Sequence, residues 1–236
     1  RQMCIRDSSY SGSISLRRAV EKSSNVATYR LYEELGTRTC MKYLEALNFK
    51  GLDKKDYKYN TTCLGGFTNG TTVVEMAAGY ATIANDGEYR TPDCIIKITD
   101  AKGNDIVPED TSTKSVYSSS ASRMMTSVLQ SCVTEYGGTA HVCQLDVDMP
   151  AACKTGTTNN YVDGWLCGYT PYYTTAVWVG MDVYKSVDNL KGNTYPASIW
   201  TNYMNKIHQG LPRKEFESYL GCLLYTSPSP RDGATS

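Results

Sequence analysis

The chain has 236 residues with 24 basic and 24 acidic side chains, so its formal net charge is zero and nucleic acid is not an expected partner. Its 41% hydrophobic content is that of a folded globular protein rather than a disordered one. The apolar runs are shorter than the roughly 20 residues that a membrane span needs, so any membrane anchor is expected outside this chain.

The nine cysteines include no C-x-x-C pair, which argues against a zinc knuckle or a thioredoxin-like site and favours scattered free thiols. Both ends lack hydrophobic periodicity and capping signals. Residues 1–8 and 221–236 resemble translated sequencing-adapter sequence, so we predict that they are non-native ends flanking a native segment, residues 9–220.

The first part of the native segment is predicted to be helical. Ser15 caps a short helix over 15–22, and a second helix over 26–35 ends at Gly36. Between them, the S-x-N triplet at 23–25 consists of residues that favour caps and turns, so its side chains can project into a cleft. An ordinary pair of N-cap serines explains the triplet equally well.

Two further helices are predicted next. One covers 37–47, and a polar, solvated loop over 50–62 follows it. Thr72 and Glu75 form a capping box for the other helix, which stops at the Asn-Asp-Gly turn of 85–87.

The apolar period changes to two between 89 and 107, which predicts a hairpin that turns at 102–104. A helix with a Ser118 cap then carries apolar residues at helical spacing as far as Val133. Its methionines, Met124 and Met125, are expected to fill the core.

The strongest chemical signal lies in residues 152–158, Ala-Cys-Lys-Thr-Gly-Thr-Thr. On this extended segment Lys154 is a cation, Thr155 and Thr157 are hydroxyl donors, and Gly156 gives close access to the backbone. These groups suit a site that grips a carboxylate and holds an oxyanion, as acyl transfer requires. A bare K-T-G arises by chance in roughly one chain in twenty of this length. The surrounding sequence must therefore decide whether this one indicates an acyl-transfer site.

Strands over 164–170 and 174–181 are predicted to form an antiparallel meander with the Lys154 strand. A last helix over 197–209 is expected to pack on this sheet through one apolar face: Ile199, Trp200, Tyr203, Met204 and Ile207. Helices followed by a meander predict an α+β fold with an antiparallel sheet rather than a doubly wound parallel sheet.

Three segments in the same order resemble the transpeptidase domain of penicillin-binding proteins, particularly the bifunctional class A type with its serine β-lactamase-like fold. Residues 12–36 resemble the family's S-x-N segment, and 64–86 its LGG…T-x-x-EMA…Y…AN stretch. Residues 154–180 resemble its K-T-G strand and the two strands that follow. Together the segments cover most of residues 9–215.

The resemblance implies a role for each matched residue. Ser23 would relay the proton of the nucleophile, Asn25 would hydrogen-bond the substrate backbone, and Lys154 would hold Ser23 and raise the local positive potential. Thr155 and Thr157 hydroxyls would take the terminal carboxylate beside Gly156, and the Thr157 N–H would form half of an oxyanion hole. Each such oxyanion donor is worth about 3 to 4 kcal/mol in comparable sites.

The resemblance also implies the reaction. A serine would attack the D-Ala-D-Ala carbonyl of a peptidoglycan stem peptide, release D-alanine and pass the acyl group to a neighbouring stem amine. The partners would be stem peptides and β-lactams, with no metal or organic cofactor, since protein groups supply the nucleophile, the base and the donors. The expected location is outside the cytoplasmic membrane, with tethering only through an N-terminal anchor beyond this chain.

The sequence departs from the family pattern in two places. Cys153 stands where the family usually has glycine, which raises the alternative of a reactive thiol activated by Lys154. No lysine has a serine three positions before it, so the S-x-x-K nucleophile is absent and is expected upstream on a central buried helix. We therefore predict that the chain alone is inactive, that 174–181 is an unpaired apolar edge, and that the core is incomplete.

Three other functions are compatible with parts of the sequence. A β-lactam sensor or a β-lactamase on the same fold would use the same S-x-N and K-T-G motifs. In a non-catalytic interaction module, 154–158 would be an ordinary surface strand. Nucleotide binding is weakly supported, because residues 149–153 are not the glycine-rich loop that should precede a phosphate-binding lysine.

Overall fold

A computed structural model describes residues 12–95, 97–107 and 111–219. The two ends predicted to be non-native lie outside these residues, as does Ile96 of the predicted hairpin. The described part has an α+β architecture, which confirms the predicted fold class. In chain order its helices and strands are α1 Leu16–Glu21, α2 Asn25–Leu35, α3 Thr37–Ala46, α4 Val73–Ala84, β1 Glu88–Tyr89, β2 Ile98–Thr99, β3 Asp105–Val107, β4 Lys114–Ser115, α5 Ser119–Thr134, β5 Ala152–Thr157, β6 Gly164–Tyr169, β7 Thr174–Val179 and α6 Tyr195–Ile207.

The main sheet has the order β5-β6-β7, and its strands are antiparallel, which confirms the predicted meander. Its register places Lys154 opposite Cys167 and Gly156 opposite Trp165. Within the described residues β5 and β7 are its two edges. Short connections between consecutive strands make this antiparallel order the simplest one for the sequence.

Helices cover both faces of the main sheet. On one face Leu129 of α5 and Tyr80 of α4 pack around Tyr169. On the other face Trp200 and Met204 of α6 pack around Leu166, and all three are fully buried. Because β6 is covered on both sides, its residues are almost entirely buried, whereas the edge strand β5 leaves one side open.

Helix caps follow the sequence closely. Ser15 accepts a hydrogen bond from the Arg18 N–H at the start of α1. Thr72 and Glu75 form the predicted capping box at the start of α4, which satisfies two backbone donors reciprocally. The chain then turns at Asp86, whose carboxylate is paired with Arg123 of α5.

Several predicted features differ in the structure. The polar segment 50–62 is not simply solvated: Asp56 is buried and accepts hydrogen bonds from the Asp53 N–H and from both donors of Thr68. Asp56 thereby organises this segment, which leads into a 3-10 helix, Asn60–Leu64. A charged side chain can be buried in this way when hydrogen bonds compensate its lost hydration.

The predicted hairpin is shorter than expected, with paired strands only at β2 and β3, and β1 pairs instead with β4. The buried faces of helices α5 and α6 were also predicted incorrectly in part. Met124 of α5 is about two-fifths exposed and lines no cavity among the described residues, and Ile199 and Tyr203 of α6 are half exposed. The buried side of α5 instead includes the small polar residues Ser122, Thr126 and Ser131.

An apolar cavity of about 640 Å³ lies between the helices and the main sheet. Lys154 lies at its wall. The apolar residues that line it come from α2, α3, α4 and α5 and include Leu31, Met41, Tyr80, Met125 and Leu129. This cavity opens to solvent, so its apolar lining stays in contact with water, at a cost of about 25 cal/mol for each Å² of apolar surface.

We therefore expect the chain alone to unfold broadly on heating and to bind the apolar dye ANS, because packing around this cavity is incomplete. Differential scanning calorimetry and dye fluorescence measure both properties. Met125→Glu, at the cavity wall, should reduce dye binding, whereas Met124→Glu on the exposed side of α5 should not. A sharp, cooperative transition without dye binding would contradict this expectation.

Candidate active site

The S-x-N triplet lies at the break between α1 and α2. Ser24 is the N-cap of α2 and accepts a hydrogen bond from the Ala27 N–H, so it is the capping serine. Ser23 has a φ of +53°, which is uncommon outside glycine, and its hydroxyl does not cap the helix. The two serines therefore differ in role, and Ser23 is free to interact across the cleft.

Contacts with α5 and the loop after it hold this turn in place. The Arg17 guanidinium donates to the Ser127 carbonyl at 2.7 Å, and Lys22 donates to the Gly137 carbonyl at 2.7 Å. The Thr139 N–H donates to the Glu21 carbonyl at 3.1 Å. Since these bonds surround the end of α1, Ser23 occupies a defined position relative to the main sheet.

Lys154 reaches Ser23 from β5. Its Nζ donates to Ser23 Oγ at 2.8 Å and to the Thr155 carbonyl at 2.9 Å. Burial beside the apolar cavity lowers the pKa of the Lys154 amine, and nearby Cys132 partly offsets this. The structure thus brings together the cation and the hydroxyl that the sequence placed far apart.

Strand geometry assigns the K-T-G side chains to different faces. Successive residues of a strand point to opposite faces, so Lys154 faces the cavity while Thr155 and Thr157 face the α6 side. All three lie at the open edge of β5, where a ligand can meet groups from both faces.

Two predicted site residues offer unused polar groups. The Asn25 side chain, at the first position of α2, is exposed and has no hydrogen-bond partner among the residues that the structure describes. The Thr155 hydroxyl likewise has no hydrogen-bond partner among the described residues. Thr157 Oγ1 differs, because it accepts a hydrogen bond from the Gly192 N–H at 3.0 Å.

Sequence reasoning missed Asp163, which braces the turn after the K-T-G strand. One carboxylate oxygen accepts from the Trp178 indole N–H at 2.9 Å, and the other from the Thr158 hydroxyl at 3.1 Å. The Asp163 N–H donates back to Thr158 at 2.8 Å. These bonds connect β5, the turn and β7. The only signal in the sequence is an Asp placed directly before a strand glycine.

Cys153 is fully buried and faces α6 rather than the cleft, with its sulfur against Gly168 and Trp200. A Cβ on Gly168 would lie 2.5 Å from this sulfur, so the glycine provides the space that Cys153 needs. Burial raises the pKa of the Cys153 thiol well above its ordinary value. The alternative of a reactive thiol at this position is therefore wrong.

Among the residues that the structure describes, Cys40, Cys94, Cys132, Cys143, Cys153 and Cys167 are in no disulfide. No set of three or more His, Cys, Asp or Glu residues in the described ranges has the geometry of a metal site.

A family model described as "Penicillin binding protein transpeptidase domain" matches residues 3–209. Penicillin-binding protein 1A of Clostridium novyi is 33% identical over 214 residues, which is 88% of this chain and 24% of that protein. Penicillin-binding protein 4 of Bacillus subtilis is 33% identical over 189 residues, which is 80% of this chain and 30% of that protein. The chain thus spans about a quarter of the length of such relatives.

Solved structures show the same fold. Penicillin-binding protein PonA1 from Mycobacterium tuberculosis superposes with a TM-score of 0.76 at 24% identity, covering 89% of this chain and 60% of that one. A structure of PonA1 in complex with penicillin V gives a TM-score of 0.75 over the same shares of both chains, also at 24% identity. The chain belongs to the penicillin-binding protein transpeptidase domain family, with relatives of the class A type that its ordered motifs predicted.

Proposed function

We propose that this chain forms two walls of a serine D,D-transpeptidase site that cross-links peptidoglycan stem peptides and binds β-lactams. The observation that carries the proposal is the 2.8 Å hydrogen bond between Lys154 Nζ and Ser23 Oγ, in a chain that belongs to this family. This bond brings the Lys154 ammonium and the Ser23 hydroxyl side by side at the open edge of β5. Such a pair can relay protons during acyl transfer.

Each wall contributes a different kind of group. Ser23 passes a proton between the nucleophile and the leaving group, and Asn25 hydrogen-bonds the stem-peptide backbone. On the other wall Thr155 and Thr157 donate to the terminal carboxylate, while Gly156 lets the ligand approach the backbone. The Thr157 N–H stabilises the developing oxyanion, a term worth about 3 to 4 kcal/mol.

The nucleophile comes from outside this chain, since no S-x-x-K motif is present. The apolar cavity supports this part of the proposal, because Lys154 lies at its wall and an apolar helix could fill it. A serine at the end of such a helix would face Ser23 and Lys154. The chain alone is therefore inactive, and residues 9–220 are the C-terminal part of the domain.

The site would operate at the extracytoplasmic face of the cell membrane, where peptidoglycan is assembled. The relatives are named as penicillin-binding proteins, and stem peptides lie outside the membrane. Among the described residues, no helix combines the length and the apolar character of a membrane span. Tethering would come from an anchor in the upstream sequence.

The direct test uses the extended protein, meaning this chain joined to its upstream gene sequence. A fluorescent penicillin should label it covalently, and Lys154→Ala should slow labelling by about 100-fold or more, as for loss of one preorganised electrostatic group. The rate is followed by gel fluorescence. Lys54→Ala, which removes an exposed lysine from the 50–62 segment, is the matched control and should label normally.

An extended protein that is folded but never labelled would contradict the proposal and favour a non-catalytic interaction module. Labelling followed by rapid loss of the label would identify a β-lactamase instead. Equal labelling of the Lys154→Ala and Lys54→Ala variants would show that Lys154 has no part in acylation.

The lowered pKa of Lys154 gives an independent measurement. Only the neutral amine reacts with acetic anhydride, so the pH midpoint of its acetylation should fall below the ordinary lysine value of about 10.4. Ser23→Ala should lower the midpoint further, because it removes an acceptor that favours the charged amine. Peptide mass spectrometry across a pH series measures both. A midpoint at or above the ordinary value would contradict the assignment.

A further inference from the structure

Residues 187–194, here named the strap, lie between β7 and α6 and cover the end of the K-T-G strand. The Val187 N–H donates to the Tyr161 carbonyl at 2.9 Å, and Leu190 is fully buried. A Cβ added to Gly164 would meet the Leu190 side chain at 2.7 Å, so Leu190 packs directly on β6. The strap is therefore fixed to the sheet at two points.

Gly192 brings the strap against the backbone of the K-T-G strand. A Cβ at this position would lie 2.5 Å from the Trp165 carbonyl oxygen, 2.7 Å from the Gly156 oxygen and 2.8 Å from the Gly156 nitrogen. These neighbours are backbone atoms that cannot move aside, so the contact requires glycine. At this close approach the Gly192 N–H donates to Thr157 Oγ1 at 3.0 Å.

This bond determines what the Thr157 hydroxyl can do. A threonine hydroxyl has two acceptor sites and one hydrogen. Since the oxygen already accepts the Gly192 N–H, the hydroxyl hydrogen is directed away from the strap. No acceptor in the described part of the chain takes that hydrogen, so it is available to an anionic ligand at the strand edge.

We propose that Gly192 is a positioning residue that presents the Thr157 hydroxyl as a donor to the carboxylate of the ligand. The inference rests on the proposed transpeptidase function and adds to it a residue outside the three recognised motifs. Gly192 contacts no ligand itself. It acts through Thr157, and its effect should be specific to ligands that carry a free carboxylate.

The test compares acylation rates of the extended protein by a penicillin and by its methyl ester, which lacks the anionic carboxylate. The ratio of the two rates measures carboxylate recognition independently of general damage to the site. Gly192→Ala should reduce this ratio about tenfold, as for the loss of one charge-assisted hydrogen bond. Stopped-flow or gel labelling kinetics supply the rates.

A double-mutant cycle separates positioning from a structural effect. Thr157→Val should reduce the ratio by itself, and Thr157→Ser, which keeps the hydroxyl, should restore most of it. In the Thr157→Val background, Gly192→Ala should cause no further change, because the hydroxyl through which it acts is gone. Independent, multiplicative effects would overturn the inference.

Gly168→Ala is the matched control for steric crowding by an added Cβ, because that Cβ would also clash within the sheet. Gly168 lies at the far end of β6 from Thr157. It should lower stability but leave the ratio unchanged. If Gly192→Ala does not fold, amide hydrogen exchange tests the bond between Gly192 and Thr157 instead. The Gly192 N–H should lose its protection from exchange in the Thr157→Val variant and keep it in the Thr157→Ser variant.

The possible failures differ from one another. If the unsubstituted extended protein is not labelled, the proposed function is wrong and this inference falls with it. If the protein is labelled with a clear carboxylate preference, and Gly192→Ala keeps that preference, only the role of Gly192 is overturned. Rapid hydrogen exchange of the Gly192 N–H in the unsubstituted protein would also overturn the role of Gly192 alone.

Discussion

The hydrogen bond between Lys154 and Ser23 joins two parts of the chain that are 131 residues apart. A largely buried ammonium group loses hydration, so it is tolerated only where oxygen acceptors replace the lost water. Ser23 Oγ and the Thr155 carbonyl are the two acceptors here. The docking of α1 on α5 matters because it places Ser23 where the amine needs it. The cleft therefore depends on compensating one buried charge.

Close approach of backbones produces the second part of the site. Gly156, Gly168 and Gly192 lie where strands or the strap come together. A Cβ on Gly168 or Gly192 would clash, and a Cβ on Gly156 would be a tight 3.2 Å from Trp165. Gly168 makes room for Cys153, so the larger residue before Lys154 packs towards α6 and leaves the cleft unobstructed. Gly192 contacts the other end of the same strand, at Gly156 and Thr157. The site thus has the cation on one face of β5 and the hydroxyl donors on the other, and both are accessible at its edge.

Features that depend on neighbouring residues in the sequence were predicted well. The caps at Ser15 and Thr72 and the meander of β5 to β7 follow from local hydrogen bonding and short connections. Burial was predicted less well, because it depends on which distant element covers a face: Met124 is exposed and Asp56 is buried. In the site, resemblance identified Ser23 and Lys154. It could not identify Gly192, since a glycine that acts through its N–H leaves no side-chain pattern to read.

The apolar cavity and the charge of Lys154 are physically linked. Burial already lowers the pKa of this amine, and part of the surface around it faces the cavity. Any apolar segment that fills the cavity removes more water from the amine, so desolvation increases and the pKa falls further. Ser23 opposes that fall because its oxygen stabilises the charged amine. Occupation of the cavity would therefore tune the proton affinity of Lys154.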